Sequence, residues 1–192
     1  MASKSSLSFL KGRAGEVAPQ LLGCTIEREI GDVRLLVRIV ETEAYDQTDV
    51  ASHSYKGQTN RTKVMFGAAG HLYVYFTYGM HYCCNIVVGP TGHGSAVLIR
   101  AVEPIEGRDK MALSRSGRSG VELSNGPAKL CQALAIDKAL NGHDLRRPPL
   151  QLIAQPKLPD RQVVQTTRIG ISRGRDAAWR FYIRGNPYVS KP

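Results

Sequence analysis

The stretch from Val33 to Tyr45 constrains the fold more than any other part of the chain. It carries no glycine or proline and it alternates, so an unbroken strand places Val37, Ile39, Glu41, Glu43 and Tyr45 on one face. A second strand signal lies downstream. His71 to Thr77 is aromatic and β-branched, and Tyr82 to Val88 answers it across Tyr78-Gly79-Met80-His81, the pattern of a β-hairpin with a glycine at its tip. Ser95 to Val102 and Arg180 to Ile183 read as further strands. Helices are expected at Ser8 to Leu22, with Pro19 as an obstacle, and at Pro127 to Ala139, where Asn125 is placed to cap and Pro127 sits near the first turn. Hairpin-linked strands with a few helices predict an α+β fold: a mostly antiparallel, curved β-sheet core, peripheral helices and a protruding hairpin.

The 192 residues suffice for one well-cored domain, and 42% hydrophobic with 22% charged residues excludes a disordered or fibrous chain. No internal repeat or linker divides the sequence, so residues 1–192 are read as a single domain. Gly89 to Gly94 reads as a loop, and Gly107 to Asn125, rich in serine and glycine, as a flexible surface excursion. Neither a secretory h-region nor an apolar run of membrane-span length is present, so no membrane role and an intracellular location are expected. Cys24, Cys83, Cys84 and Cys131 form no C-x-x-C and read as reduced, packed thiols. His53, His71, His81, His93 and His143 show no metal-binding spacing, so neither metal nor cofactor is expected.

The charge is unevenly placed. The net charge is +10, yet the first fifty residues hold six basic and eight acidic residues. No acidic residue occurs between Asp49 and Glu103, and from Gln151 to Pro192 there are eight basic residues against two acidic ones. Such blocks point to a polyanionic partner, nucleic acid ahead of a membrane surface.

Two features carry candidate chemistry. Glu41 and Glu43 stand in an apolar strand, where a buried carboxylate is costly without partners. Either both lie on a solvated edge, or one is a general base held where a pocket tunes it. Tyr78 adjoins Gly79 at the hairpin turn, where burial within its own domain is difficult, and a wedge between base pairs is the natural role for a basic protein. Tyr45 and Tyr75 would then be stacking surfaces for an unstacked base.

At these residues the sequence resembles the alkyladenine DNA glycosylase family, the 3-methyladenine DNA glycosylases of the mammalian type. The matching stretches are RIVETEAY from Arg38 to Tyr45, ASHS from Ala51 to Ser54, LYVY from Leu72 to Tyr75 and YGM from Tyr78 to Met80. VLIR from Val97 to Arg100 with Glu103-Pro104, GPAKLCQALAI from Gly126 to Ile136, and RFYIRG from Arg180 to Gly185 continue in the family's order. The resemblance implies a monofunctional enzyme that hydrolyses the N-glycosidic bond of damaged purines in duplex DNA, initiating base excision repair. Such an enzyme is expected to act as a monomer without a cofactor, in the cytoplasm with the nucleoid or in a nucleus. The substrates implied are 3-methyladenine and 7-methylguanine, with hypoxanthine and ethenoadenine in the wider range. It implies Glu43 as the base that activates water, with Arg100 and the backbone carbonyl of Ile169 helping to hold that water. Tyr45, His53 and Tyr75 are implied to sandwich the flipped base, Asn85 to screen its exocyclic groups, and Tyr78 to fill the space it vacates. Phe76-Thr77 departs from the aliphatic pair of animal members, and Tyr188 stands where the family has a tryptophan.

Two other classes compete. A catalytically silent module that binds duplex DNA has no use for a carboxylate facing a polyanion, which Glu43 argues against. A bifunctional glycosylase/lyase needs an activated amine, and Lys63 and Lys129, the lysines near matched motifs, have no activating companion.

Overall fold

The alternating stretch is one long strand. In the computed structural model, which describes residues 6–77 and 79–191, it forms β2 (Val33–Asp46), preceded by its antiparallel neighbour β1 (Thr25–Ile30). β3 (Leu72–Thr77) and β4 (His81–Val87) form the expected hairpin. β5 (Ser95–Glu106), β6 (Leu150–Ile153), β7 (Val163–Thr166) and β8 (Arg180–Ile183) complete an eight-stranded antiparallel sheet. The order is β3-β4-β5-β2-β1-β6, with β8 against β2 and β7 against β8. β2 is the organiser: β5 follows one edge from Leu36 to Asp46, while the other edge takes β1 as far as Arg38 and then β8 from Glu41 to Glu43. Serving two neighbours in succession on one edge goes with a sheet that curves. The fold is α+β, as the strand and helix pattern predicts.

Three helices, α1 (Ala14–Gln20), α2 (Arg108–Ser114) and α3 (Pro127–Ala133), cover one face. There Val17 and Ala18 of α1, Met111 of α2 and Leu130 of α3 join Val37, Ile39, Val97 and Ile99 in the main core. The other face carries a smaller cluster of Met65, Tyr73, Val87 and Ala96, next to a cavity.

The strand is broken in register, which corrects the single-face reading. Pairing between β2 and β5 runs from Ile39 opposite Val102 to Glu41 opposite Ala101, skipping Val40, and then to Thr42 opposite Ile99, skipping Arg100. Each skipped residue reverses the parity of the residues beyond it. Before the break the odd residues Leu35, Val37 and Ile39 face the main core. After it the even residues do: Ala44 belongs to that core, and the Thr42 hydroxyl bonds the Ala18 carbonyl of α1 at 2.9 Å. Glu41, Glu43 and Tyr45 are thereby turned to the opposite face from Val37 and Ile39. Tyr188 packs with Val40 and Ala101 at the break.

The helical expectations need three corrections. Ser8 to Leu22 is not one helix: a 3-10 turn, Leu7–Lys11, ends at an extended Gly12, and α1 begins after an extended Arg13. α3 stops at Ala133 because Ala135 adopts a left-handed φ of 48° and the Ile136 amide reaches back to the Cys131 carbonyl at 2.7 Å, closing the helix end. Its N-cap is Gly126 and not Asn125, whose side chain accepts instead from Lys129 Nζ at 2.8 Å. Gly107 to Asn125 is not a loose excursion either. It holds α2 and a 3-10 turn, Gly120–Leu123, anchored by buried Met111 and Leu123.

Candidate active site

The register lays a single row across five strands. Tyr73 of β3 opposes Asn85 of β4, Asn85 opposes Leu98 of β5, Leu98 opposes Glu43 of β2, and Glu43 opposes Arg180 of β8. Directly opposed residues share a face, so pairing alone brings residues from positions 43 to 180 into one line. Two residues further along the hairpin, Tyr75 opposite Cys83 continues the same face. Four of the five residues in that row, together with Tyr75 and Cys83, line a cavity of about 470 Å³, a volume suited to a small organic group.

Both carboxylates are fully buried, which removes the solvated-edge reading. Their surroundings differ. Glu41 Oε1 accepts from Arg180 Nη1 at 2.8 Å and from the Ser190 hydroxyl at 3.0 Å, and lies 3.3 Å from Arg100 Nε; Oε2 accepts the Ser190 amide at 2.8 Å. Glu41 is enclosed by protein donors and does not line the cavity. Glu43 does. Its Oε1 accepts the Ile169 amide at 2.8 Å and lies 3.2 Å from Arg100 Nη1, while Oε2 accepts the Tyr45 hydroxyl at 2.9 Å. Arg100 reaches both carboxylates because the skipped register frees it from a partner on β2, a common use of bulges beside functional sites.

The walls are aromatic and cationic. His53 meets the Tyr75 ring edge-on with centroids 4.6 Å apart, and its Nδ1 is 3.2 Å from the Tyr73 hydroxyl. Tyr73 and Tyr75 lie 5.7 Å apart at 29°. Arg168 stands over Tyr45 at 4.7 Å and over Trp179 at 5.3 Å, held by Asp49 and the Ala44 carbonyl. Arg61 lies 5.8 Å from the centre of the Tyr75 ring. Enclosure of the ring in the cavity wall, with Arg61 adding repulsion, pushes the His53 imidazole down to about 4, so it is neutral at physiological pH although part of its surface remains open to solvent. Burial raises the Tyr45 and Tyr75 phenols well above their ordinary value, and the Glu43 charge adds to the effect on Tyr45. Burial likewise raises the Cys83 thiol to about 11, so it is a neutral wall group and not a nucleophile.

Glu43, Tyr45, His53, Tyr75, Asn85, Arg100 and Ile169 all line the one cavity. Asn85 is buried, and its amide donates to the Tyr73 carbonyl at 3.2 Å, which fixes the orientation of its oxygen. At Ile169 the contact observed is made by the amide, donating to Glu43, whereas the family resemblance implies a role for the carbonyl. Tyr78 lies outside the described residues; its neighbours on the hairpin, Phe76 and Met80, are 51% and 68% exposed. The structure adds Arg61, Tyr73 and Cys83 to the cavity wall, and Arg168 against the Tyr45 ring without itself lining the cavity. Tyr73 and Cys83 are accessible to hairpin register, since they share a face with Asn85 and Tyr75. Arg61 and Arg168 stand out in the sequence only as members of the basic blocks.

The chain is also similar in sequence to known proteins. The family model described as methylpurine-DNA glycosylase (MPG) matches residues 8–187. A protein of Carboxydothermus hydrogenoformans, named "Putative 3-methyladenine DNA glycosylase", is 53% identical over 176 residues, covering 91% of this chain and 92% of its own length. Proteins with the same name from Methanoculleus marisnigri and Nitrosospira multiformis are 49% and 44% identical. The former covers 91% of this chain and 92% of its own length, the latter 99% and 95%.

Proposed function

Since the chain belongs to the methylpurine-DNA glycosylase family, we propose that it flips alkylated purines out of duplex DNA into the 470 Å³ cavity and hydrolyses the N-glycosidic bond there with a water activated by Glu43. One observation carries this reading: of two buried carboxylates on the same strand, only Glu43 borders a cavity walled by Tyr45, His53 and Tyr75.

The chemistry follows from those positions. As the bond between C1′ and the purine breaks, its electron pair leaves with the base and positive charge develops on the sugar. The Glu43 carboxylate stabilises that charge and takes a proton from water as the water oxygen bonds to C1′. Oε1 is tied to the Ile169 amide and Arg100. The water therefore approaches Oε2, taking the place of the Tyr45 hydroxyl on it as the ring engages the base. In this reading the Ile169 carbonyl, on the residue whose amide anchors Glu43, helps to orient that water. A base methylated at N3 or N7 is cationic before cleavage and leaves neutral, which weakens the bond for the enzyme. Tyr45 and Tyr75 stack on it, and the neutral His53 adds no charge repulsion against it. Each tyrosine already carries a guanidinium near its ring, so stacking here depends on shape as much as on charge.

Asn85, with its amide nitrogen committed to Tyr73, presents its oxygen to exocyclic groups of the base and screens them. Tyr78, between Thr77 and Gly79 in the sequence, fills the gap left in the duplex in this reading. The protein acts as a monomer on double-stranded DNA. Among the described residues no helix is long and apolar enough to cross a membrane.

The test is release of base from methylated duplex DNA under single-turnover conditions. Glu43→Gln is expected to slow excision by roughly 10²–10⁴-fold, the usual worth of a general base, while lesion binding persists. Equal excision by the two proteins would overturn the assignment.

A further inference from the structure

Resting on that hydrolytic reading, we propose that Glu41 and the Ser190–Lys191 segment form a positioning latch that aims Arg100, and through Arg100 the Glu43 carboxylate. None of these latch residues lines the cavity, so their effect on the reaction is indirect.

Arg100 has no pairing partner on β2 because the register skips it, and so the ladder does not fix where its side chain goes. Its aim is fixed by acceptors. Nη1 faces Glu43 Oε1 at 3.2 Å, while Nε is shared by the Ser190 hydroxyl at 3.2 Å and Glu41 Oε1 at 3.3 Å. The Ser190 hydroxyl accepts from Arg100 and donates to Glu41 Oε1 at 3.0 Å, which uses its single proton and leaves a lone pair for Nε. Its backbone amide donates to Glu41 Oε2 at 2.8 Å, so one residue grips both oxygens of the hidden carboxylate. Lys191 extends the grip: its carbonyl accepts both Nη1 and Nη2 of Arg180 at 2.8 Å, and Arg180 Nη1 also meets Glu41 Oε1.

Two carboxylates and two guanidiniums are thus shared out in a fixed way. Held by Glu41 and Ser190, Arg100 directs one nitrogen to Glu43. Without that hold the planar guanidinium is free to turn both of its forks onto Glu43, the favoured geometry for an arginine–carboxylate pair. A bidentate pair would occupy the oxygen that water needs and would weaken the carboxylate as a base. The latch therefore keeps Arg100 close enough to orient Glu43 and far enough away to leave it reactive.

The mild variant Ser190→Ala tests this, with Ser190→Thr as the rescue and a chain stopped after Val189 as the full release. Ser190→Ala is expected to lower the single-turnover excision rate about tenfold, the low end of the loss from an outer-shell orienting partner, with the affinity for lesion-containing duplex unchanged. Ser190→Thr should restore the rate, and the shortened chain should lose more. In parallel, the Arg100 Nε–H resonance, assigned by its loss in Arg100→Lys, should broaden in Ser190→Ala. A wild-type rate in Ser190→Ala, or rate and affinity falling together, overturns the latch. So does an unmoved Arg100 resonance, whatever the activity. A wild-type chain that releases no base would instead sink the hydrolytic reading, and the resonance would still decide whether Ser190 holds Arg100.

Discussion

Replacing Glu41 or Glu43 by glutamine removes the same charge from the same strand, yet the hydrogen bonds around the two sites lead to opposite outcomes. Glu41 receives donors on both oxygens: Arg180 and the Ser190 hydroxyl on Oε1, and the Ser190 amide on Oε2. A glutamine there has one acceptor oxygen, so its NH₂ must point at an N–H or guanidinium whichever way it turns. Arg100 and Arg180, both largely buried, would then share the single charge of Glu43. Breaking a buried ion pair costs about 3–5 kcal/mol. The Lys191 carbonyl still satisfies Arg180 and Glu43 still faces Arg100, which places Glu41→Gln near the low end, about 3 kcal/mol. For a chain of this length that is a fall in Tm of roughly 6–12 °C.

Glu43→Gln behaves differently. Its amide oxygen at the Oε1 position keeps the Ile169 amide and Arg100, and its NH₂ at the Oε2 position donates to the Tyr45 hydroxyl, which rotates to accept. Every hydrogen-bond partner stays satisfied, so what remains is the charge term, with Arg100 and Arg180 sharing the Glu41 carboxylate that touches both; the stability cost is therefore smaller than that of Glu41→Gln, although the base is gone. Thermal unfolding followed by circular dichroism, beside single-turnover excision, separates the two variants. Glu41→Gln should show the larger fall in Tm, and Glu43→Gln the loss of chemistry with the smaller fall. Equal Tm losses, or a Glu41→Gln protein unfolding with the wild type, would refute the partition of roles drawn from these contacts.

Two further outcomes are expected. The His53 imidazole, held down to about 4, binds fewer protons in the folded protein than in the unfolded chain between about pH 4 and 6.5, so its contribution to folding grows as pH rises through that window and is lost as pH falls through it. An NMR titration of the His53 ring should give a midpoint near 4, and a midpoint near 6.5 would show that the cavity does not enclose it. At Gly107, φ is 82° and an added Cβ would stand 2.3 Å from Leu35 Cδ2 and 3.0 Å from the Arg34 carbonyl oxygen, whereas at Gly117, with φ 80°, it would meet nothing within 4 Å. Gly117→Ala should therefore cost only the backbone strain of about 1–2 kcal/mol, and Gly107→Ala distinctly more by denaturant unfolding; equal costs would refute the contact with Leu35.

What the sequence discloses of this fold tracks how local the controlling physics is. β2 and the hairpin are legible because alternation and a turn glycine are local signals, and Tyr75 and Asn85 inherit their face from them. The break at Val40 and Arg100 is not legible: no glycine marks a bulge in either strand there, the charge of Arg100 in its apolar run fits an unbroken strand as well, and only the pairing of two strands about sixty positions apart in sequence reveals it. Glu41 and Glu43 are therefore indistinguishable by position alone, since both sit in the same alternation and their difference comes from Ser190, Arg180 and Ile169, far away in the chain. β1 is concealed because Glu27, Arg28 and Glu29 mask its alternation; Arg28 donates to the Leu134 carbonyl where α3 ends. α2 is hidden in a serine- and glycine-rich segment whose core residues, Met111 and Leu123, outweigh that polar composition.

The charge pattern takes a more definite meaning from the same contacts. The acid-free block from Val50 to Val102 supplies His53, Arg61, Tyr75, Asn85 and Arg100 to the cavity, and among the described residues Glu43 is the only carboxylate lining it. A lone carboxylate in a site built for a polyanion would repel phosphate and weaken binding. Glu43 avoids this because Glu41, Glu43, Arg100 and Arg180 form a contiguous buried group whose formal charges cancel. Its field at the surface is that of a compact neutral cluster and falls off much faster than that of a free charge, leaving the surrounding arginines to dominate at the distance of a DNA backbone. The acidic character of the first fifty residues thus reaches the cavity through Glu43, on a strand whose bulge turns both Glu41 and Glu43 inward. The partner of Glu43 on that strand, Glu41, is what allows Arg100 to serve Glu43 without being wholly taken up by it.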